Sequence, residues 1–212
     1  MKVVIAGGHG KIAMHLHPVL TAAGHEVTGL IRNPDHASDL GEAGAKPVIC
    51  DLESEEDLSS FVGPADAVVF AAGAGPGSGA ERKWTMDRDG ALKLMEACRF
   101  NNIRRYVMIS AMKAEVPRGN EVFQVYLKAK SEADAALRAS GLDYTIVRPG
   151  RLTDDSPTGK VALAEDLPRG EIPRADVASV VAACIDQVAA IGRQFDLTSG
   201  ETPIMEALAR LR

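Results

Sequence analysis

Seven residues near the start of the chain, Gly7-Gly8-His9-Gly10-Lys11-Ile12-Ala13, are of the types that bind phosphate. Gly7 and Gly10 can adopt positive φ and let backbone come close to an anion, and Ala13 is small enough for a helix to pack on a sheet. An apolar run precedes the string and a helical pattern follows it, which is the setting of a dinucleotide pyrophosphate site. The helix would aim its free N–H groups and the positive end of its dipole at the phosphates. His9 stands either beside those phosphates or in solvent.

Six further places carry chemistry. Arg32 holds the end of the second apolar run, about 20 residues past the glycines, where a carboxylate would serve an unphosphorylated ribose. A guanidinium there pairs instead with a 2′-phosphate, which favours NADP(H) over NAD(H). Asp51-Leu52 follows the third run: Asp51 either accepts from an adenine amino group or caps a helix starting near Glu55, and Leu52 packs on the ring. Ala71-Ala72-Gly73 leaves room for a ribose. Tyr126 and Lys130 lie four apart on a helix and so share a face. A lysine beside a phenol lowers its pKa toward general acid–base work. Lys130 would also hold a ribose. Ser110 ends the strand before that helix, near a substrate carbonyl or bonded to backbone, and Pro149-Gly150 ends the next strand, where backbone could approach a nicotinamide carboxamide.

The elements that position these residues alternate. Strand patterns fall at residues 2–6, 26–31, 46–50, 66–71, 105–110, 143–148 and 194–197. Helical patterns fall at 11–23 (with a kink expected at Pro18), 55–61, 82–101, 122–140, 175–187 and 204–211. A Gly/Ala-rich loop spans 72–80, and 150–173 has no clear pattern. The charged residues between Glu132 and Arg138 read as a solvated helix face. Alternation of this kind predicts an α/β fold, a doubly wound parallel sheet of Rossmann type with ligands beyond the carboxyl ends of its strands. One domain over 1–212 is expected, with 150–212 forming a small substrate-side lobe.

A net charge of −5 and pI of 5.6 argue against nucleic acid as the main partner. Cys50, Cys98 and Cys184 are odd in number and far apart, so buried free thiols are expected rather than a disulfide framework or zinc site. No apolar run is long enough to span a membrane, and after Met1-Lys2 the chain enters a strand directly, so no leader and a cytoplasmic location are expected. A monomer or a homodimer fits equally.

Together these residues resemble the atypical short-chain dehydrogenase/reductases of the NAD(P)H-binding kind that includes NmrA-like and biliverdin reductase B-like (flavin reductase) proteins. The resemblance rests on the initial GGHGKIA, Arg32 with Asn33-Pro34, Asp51-Leu52, Phe70–Gly73 (FAAG), Asp87 with Gly90, the run from Tyr126 to Gly150, Arg151-Leu152-Thr153, and the RADV at 174–177. It implies phosphate contacts at Gly7, His9, Gly10, Lys11 and Ile12, and 2′-phosphate recognition by Arg32. It implies adenine contact by Asp51 and Leu52, ribose contact by Ala71, Ala72 and Gly73, and nicotinamide-side roles for Ser110, Tyr126, Lys130 and Pro149. Two departures stand out: His9 replaces the usual Thr or Ser, and Ala111 falls where active members place a hydroxyl. The expected activity is NADP(H)-dependent hydride transfer to or from a small carbonyl, flavin or quinone-like compound. A non-catalytic NADP(H) sensor is the alternative, motivated by Ala111. An epimerase or dehydratase ranks third, because only about 60 residues follow the sixth strand.

Overall fold

The structure, a computed structural model, describes residues 1–75 and 77–211. Pro76, within the expected Gly/Ala-rich loop, and Arg212 lie outside the described residues. The strands are β1 (Lys2–Ala6), β2 (Glu26–Ile31), β3 (Lys46–Ile49), β4 (Ala67–Phe70), β5 (Arg105–Ile109), β6 (Asp143–Pro149), β7 (Arg151–Thr153), β8 (Lys160–Ala164), β9 (Glu171–Pro173), β10 (Arg193–Ser199) and β11 (Thr202–Pro203). The helices are α1 (Lys11–Ala22), α2 (Ala37–Glu42), α3 (Ser59–Val62), α4 (Ala80–Arg82), α5 (Ala91–Phe100), α6 (Glu121–Ala139), α7 (Arg174–Asp186) and α8 (Ile204–Ala209), with a π-helical segment, Lys83–Gly90, joining α4 to α5.

Alternating side chains explain the layers. In β1, Val3 and Ile5 enter one core while Val4 and Ala6 enter the other, and β4 divides Ala67 and Val69 from Val68 and Phe70 in the same way. A strand buried on both faces must be apolar throughout, which is why these runs are nearly continuous. Leu16 and Leu20 of α1 and Val177, Val181 and Ile185 of α7 fill the first core; Leu94 and Cys98 of α5 and Leu137 of α6 fill the second. The main sheet has nine strands in the order β11-β8-β10-β6-β5-β4-β1-β2-β3. It is parallel from β3 through β10; β8 runs antiparallel to β10. The order reverses between β1 and β4, so the crevice for a ligand opens above those two strands.

Several expected elements differ. The helix expected over 55–61 shrinks to α3, because the carboxylates of Asp51 and Asp57 capture the amides of Glu53 (3.0 Å) and Ser59 (2.8 Å) in local turns. Asp51 therefore fixes a turn rather than capping a helix. α2 has no sequence signal beyond one buried residue, Leu40. α1 continues through Pro18. Residues 150–173 hold β7, β8 and β9, and the C-terminal third extends the main sheet past β6 while α7 packs on α1. No helix among the described residues is long and apolar enough to cross a membrane.

Candidate functional site

The glycine string sits where β1 ends beside β4. Gly7 has φ +82°, and a Cβ on it would lie 2.6 Å from the Ala72 Cα, so the bare backbone is required. The loop is held from below by the buried His17 on α1, whose Nε2 donates to the Gly8 carbonyl at 2.7 Å. Burial pushes the His17 pKa down, against the pull of that carbonyl, and keeps the ring neutral. No side chain caps α1, so its first amides remain available to a ligand anion. The glycine turn before them borders a cleft of about 240 Å³ lined by Gly7, His9, Gly10, Arg32, Asp51, Leu52 and the 71–73 segment.

The outer end of the cleft is cationic. Arg32 (57% exposed) and Arg82 approach one carboxylate from two sides: Glu53 lies 3.6 Å from Arg32 and 2.8 Å from Arg82. The Thr85 hydroxyl donates to the same carboxylate at 2.7 Å. Burial raises the Glu53 pKa, but Thr85, Arg82 and Arg32 outweigh it and hold the group below the usual carboxylate range. His9 lines the cleft, bonded to Asp39 at 2.7 Å and stacked on His36 with centroids 3.6 Å apart. His9 thus borders the cleft, and its ring has protein partners rather than bulk solvent alone.

A second, buried group lies outside the cleft lining, joined to it through the segment after β4. Lys130 is 3% exposed, 3.2 Å from Asp87, and donates to the Ile109 carbonyl at 3.2 Å. Burial disfavours its charge, yet Asp87 and Tyr126 more than compensate and its pKa is raised. Asp87 in turn accepts from the Ala74 amide, tying the π-helical segment to the end of β4. The ammonium lies 6.0 Å from the Tyr126 ring centroid, and Lys83 lies 5.6 Å from the same ring. The expected lowering of the tyrosine pKa is not found: burial raises it, and Lys130 offsets only part of the rise.

Ser110 is buried and faces Asp134, a fully buried residue of α6 whose two carboxylate oxygens lack a well-formed hydrogen bond. Burial raises the Asp134 pKa to about 7, with the Ser110 hydroxyl and Lys130 opposing. The segment read as a solvated face thus hides a carboxyl group, because only its neighbours Glu132 and Arg138 reach the surface. Ala111 is also buried and supplies no hydroxyl.

The structure brings Gly7, His9, Gly10, Arg32, Asp51, Leu52, Ala71, Ala72 and Gly73 to one cleft. The side chains of two expected phosphate ligands turn elsewhere. Lys11 pairs with Asp154 at 2.8 Å, and Ile12 packs on the core, which leaves only their backbone amides for phosphate. Ser110, Tyr126, Lys130 and Pro149 lie outside the cleft lining; the Pro149 carbonyl accepts from the Met112 amide. Arg82, Met86, His36 and Cys50 line the cleft without having been singled out for it. Only position after the Gly-rich loop could have pointed to Arg82. The three cysteines are buried free thiols, as expected; burial pushes Cys50 up to about 11 and Cys98 and Cys184 up to about 12.

Residues 7–188 match the NAD(P)H-binding family. The chain is 40% identical to a Bacillus subtilis protein, YhfK, named an uncharacterised sugar epimerase, with all of both chains covered. Its fold matches that of a Bacillus halodurans protein provisionally assigned to the NAD-dependent epimerases/dehydratases, at a TM-score of 0.94 and 39% identity over all of both chains. It also matches the oxidoreductase YlbE from Lactococcus lactis at a TM-score of 0.88 and 26% identity, over 100% of this chain and 96% of that one. A crevice at the strand switch, an uncapped α1 behind bare glycine backbone and this match over most of the length agree, and the chain belongs to the NAD(P)H-binding family.

Proposed function

We propose that the protein is an NADP(H)-dependent reductase of small carbonyl, flavin or quinone-like compounds. The observation that carries this reading is the buried Lys130–Asp87 pair beneath Tyr126, at the carboxyl ends of β4 and β5. An ion pair removed from water costs desolvation energy that its geometry and the hydrogen bonds to Ala74 and Ile109 offset, and the pair so held fixes the floor under Tyr126. The bound dinucleotide would supply the hydride. Gly7, Gly10 and the first amides of α1 hold the pyrophosphate, and Arg32 and Arg82 hold the 2′-phosphate in place of Glu53. Lys130 serves as a positioning residue for the nicotinamide ribose. The raised Tyr126 pKa keeps the phenol protonated at neutral pH, which is the form that donates a proton, so the reductive direction is favoured. For a carbonyl acceptor, the carbon takes the hydride and the oxygen takes the Tyr126 proton, which solvent later replaces.

Ser110 is assigned a supporting rather than a substrate-touching role, since its hydroxyl is buried against Asp134. That placement, with Ala111 behind it, is also what favours the second reading, a sensor that binds NADP(H) without turnover. The epimerase names of the relatives carry less weight, because β8, β10 and β11 extend the sheet instead of building a separate sugar-nucleotide lobe. Thermal unfolding with NADP⁺, NADPH, NAD⁺ and NADH tests the cofactor. A ligand at ~100 times its Kd adds about 2.7 kcal/mol, and the phosphorylated pair should give the larger shift. A carbonyl and flavin panel with NADPH tests the reaction: Tyr126→Phe should lower turnover of a carbonyl by about 10²-fold or more. An unchanged rate removes the tyrosine's role, and no turnover at all with intact NADPH binding leaves the sensor.

A further inference from the structure

Two imidazoles meet at the rim of the dinucleotide cleft, and the fold rather than their spacing brings them together. The Gly8 amide donates to the Leu30 carbonyl at 2.8 Å, and a Cβ on Gly8 would lie 2.8 Å from the Gly29 Cα, so the glycine loop is pressed onto the end of β2. That contact sets His9 beside the helical turn that follows β2, Pro34–His36, in which the Asn33 side chain accepts from the Asp35 amide at 3.1 Å. Leu40 of α2 is buried over Gly29 and holds the turn from its far side. The His9 and His36 rings stack with centroids 3.6 Å apart and planes inclined by 13°, and both line the cleft together with Arg32.

The two rings differ in their partners. His9 Nε2 is bonded to Asp39 at 2.7 Å, whereas the His36 ring forms no hydrogen bond or ion pair among the described residues. Imidazole is the side chain that changes charge between pH 5 and 8. Two stacked imidazolium rings repel each other, so the single carboxylate of Asp39 supports one proton on the pair and not two. The other charged groups near the stack have partners or lie in solvent. Lys11 pairs with Asp154, Arg82 pairs with Glu53, and Arg32 lies 3.6 Å from Glu53. Burial lowers the pKa of His17, behind the loop, against the pull of the Gly8 carbonyl, and His9 lowers it further. Asp51 lines the cleft from the end of β3. His15 of α1, Asp35 of the turn and Glu42 of α2 are exposed. An anion bound between Arg32 and the stack supplies the negative charge that a second proton needs.

We propose that His9 and His36 are a proton-dependent specificity element: the phosphorylated dinucleotide binds together with a proton that the stacked pair takes up, so the preference for NADP(H) over NAD(H) grows as pH falls from 8 to 7. This rests on the NADP(H) reading of the cleft and on no turnover. A phosphomonoester loses its second proton near pH 6, so above pH 7 the 2′-phosphate arrives as a dianion and the proton passes from solvent to an imidazole nitrogen. The imidazolium so formed donates a charge-assisted hydrogen bond to a phosphate oxygen, beside the guanidinium of Arg32. Stacking on His9 keeps the His36 ring oriented while its charge changes. NAD(H) carries the same pyrophosphate but lacks the 2′-phosphate, so any difference in proton uptake between the two cofactors belongs to that group.

Calorimetric titration at pH 7.5 counts the proton directly. The protein is titrated with NADPH and with NADH in Tris and in HEPES, whose ionisation enthalpies differ, so the difference in heat between the buffers gives the protons bound. NADPH should take up about half a proton or more and NADH clearly less, and NADPH should bind about three- to tenfold tighter at pH 7 than at pH 8. His36→Gln and His9→Asn keep a hydrogen-bonding side chain that cannot gain a charge. Each should remove most of the uptake and flatten the pH dependence. His36 is only half-buried, so its variant serves should His9→Asn fail to fold, and the comparison of buffers needs no variant at all. Tighter binding of NADPH than of NADH without proton uptake overturns the role of the pair and leaves the NADP(H) reading standing. Equal uptake with both cofactors overturns it too, since the proton then answers to the shared pyrophosphate, and so does undiminished uptake in His36→Gln. Binding of NADPH no tighter than that of NADH from pH 6.5 to 8 removes the NADP(H) reading and this inference with it.

Discussion

The mouth of the cleft and the buried group beside it use charge in opposite ways. At the mouth, Arg32, Arg82 and Glu53 meet partly in solvent, where an ion pair contributes about 0–1 kcal/mol and can be exchanged for a ligand phosphate at little cost. In the buried group, Lys130 and Asp87 meet almost without water, and each is needed to make the other tolerable. The outer arginines are arranged to let go of Glu53. The inner lysine is arranged not to move. Groups of the same kind thus form an exchangeable pair in one place and a fixed pair in the other, according to how much water surrounds them.

The largest effect that would sharpen this contrast is in the buried group. Lys130→Met leaves Asp87 buried without its ion-pair partner and should cost about 3–5 kcal/mol in urea unfolding. A Lys130→Met/Asp87→Asn double variant should regain most of that loss. If the single variant is as stable as the parent, the pair is not the buried anchor described.

Next is Asp134. Its folded pKa of about 7 lies above the ~3.9 of an unfolded aspartate, so the folded state holds the extra proton between those values. Stability therefore falls as pH rises from ~4 to ~7, and the loss is complete above that window. A shift of this size corresponds to at most about 4 kcal/mol. Asp134→Asn should be more stable than the parent at pH 8 and close to it at pH 4.5, and parallel pH–stability curves would contradict the burial.

The smallest effect belongs to the mouth of the cleft. Arg82→Gln should weaken NADPH binding by about tenfold, leave NADH binding unchanged, and alter stability by less than about 1 kcal/mol. A loss of NADH affinity of the same size would mean that Arg82 serves the adenine ribose generally.

What could be read from the sequence was what depends on neighbours along the chain. Gly7, Gly10 and the residues after strands β2, β3 and β4 were legible because strand ends converge in any doubly wound sheet. That Lys130 and Tyr126 share a helix face followed from their four-residue spacing, but the burial of Lys130 against Asp87 did not. Arg82 was not legible, since it reaches Glu53 across 29 residues from a single helical turn, just before a π-helical segment that has no sequence signature. Asp134 was misread because a charged residue on an amphipathic helix is ordinarily outside, and only the packing of α6 against β5 and β6 shows that this one is covered. The direction of the Tyr126 shift depends on how much water the fold removes, and no spacing encodes that.

The margins of the main sheet have a consequence for life in a crowded solution. β3 and β11, its outermost strands, are four and two residues long, and each contains a proline, Pro47 and Pro203. A proline has no N–H to offer an incoming chain, and so short a rim gives a stray β-segment little to grip. Growth of the sheet by recruitment of further strands, the usual opening step of aggregation, is blocked at both borders by covalent structure rather than by charge, and so the protection should hold at any salt concentration.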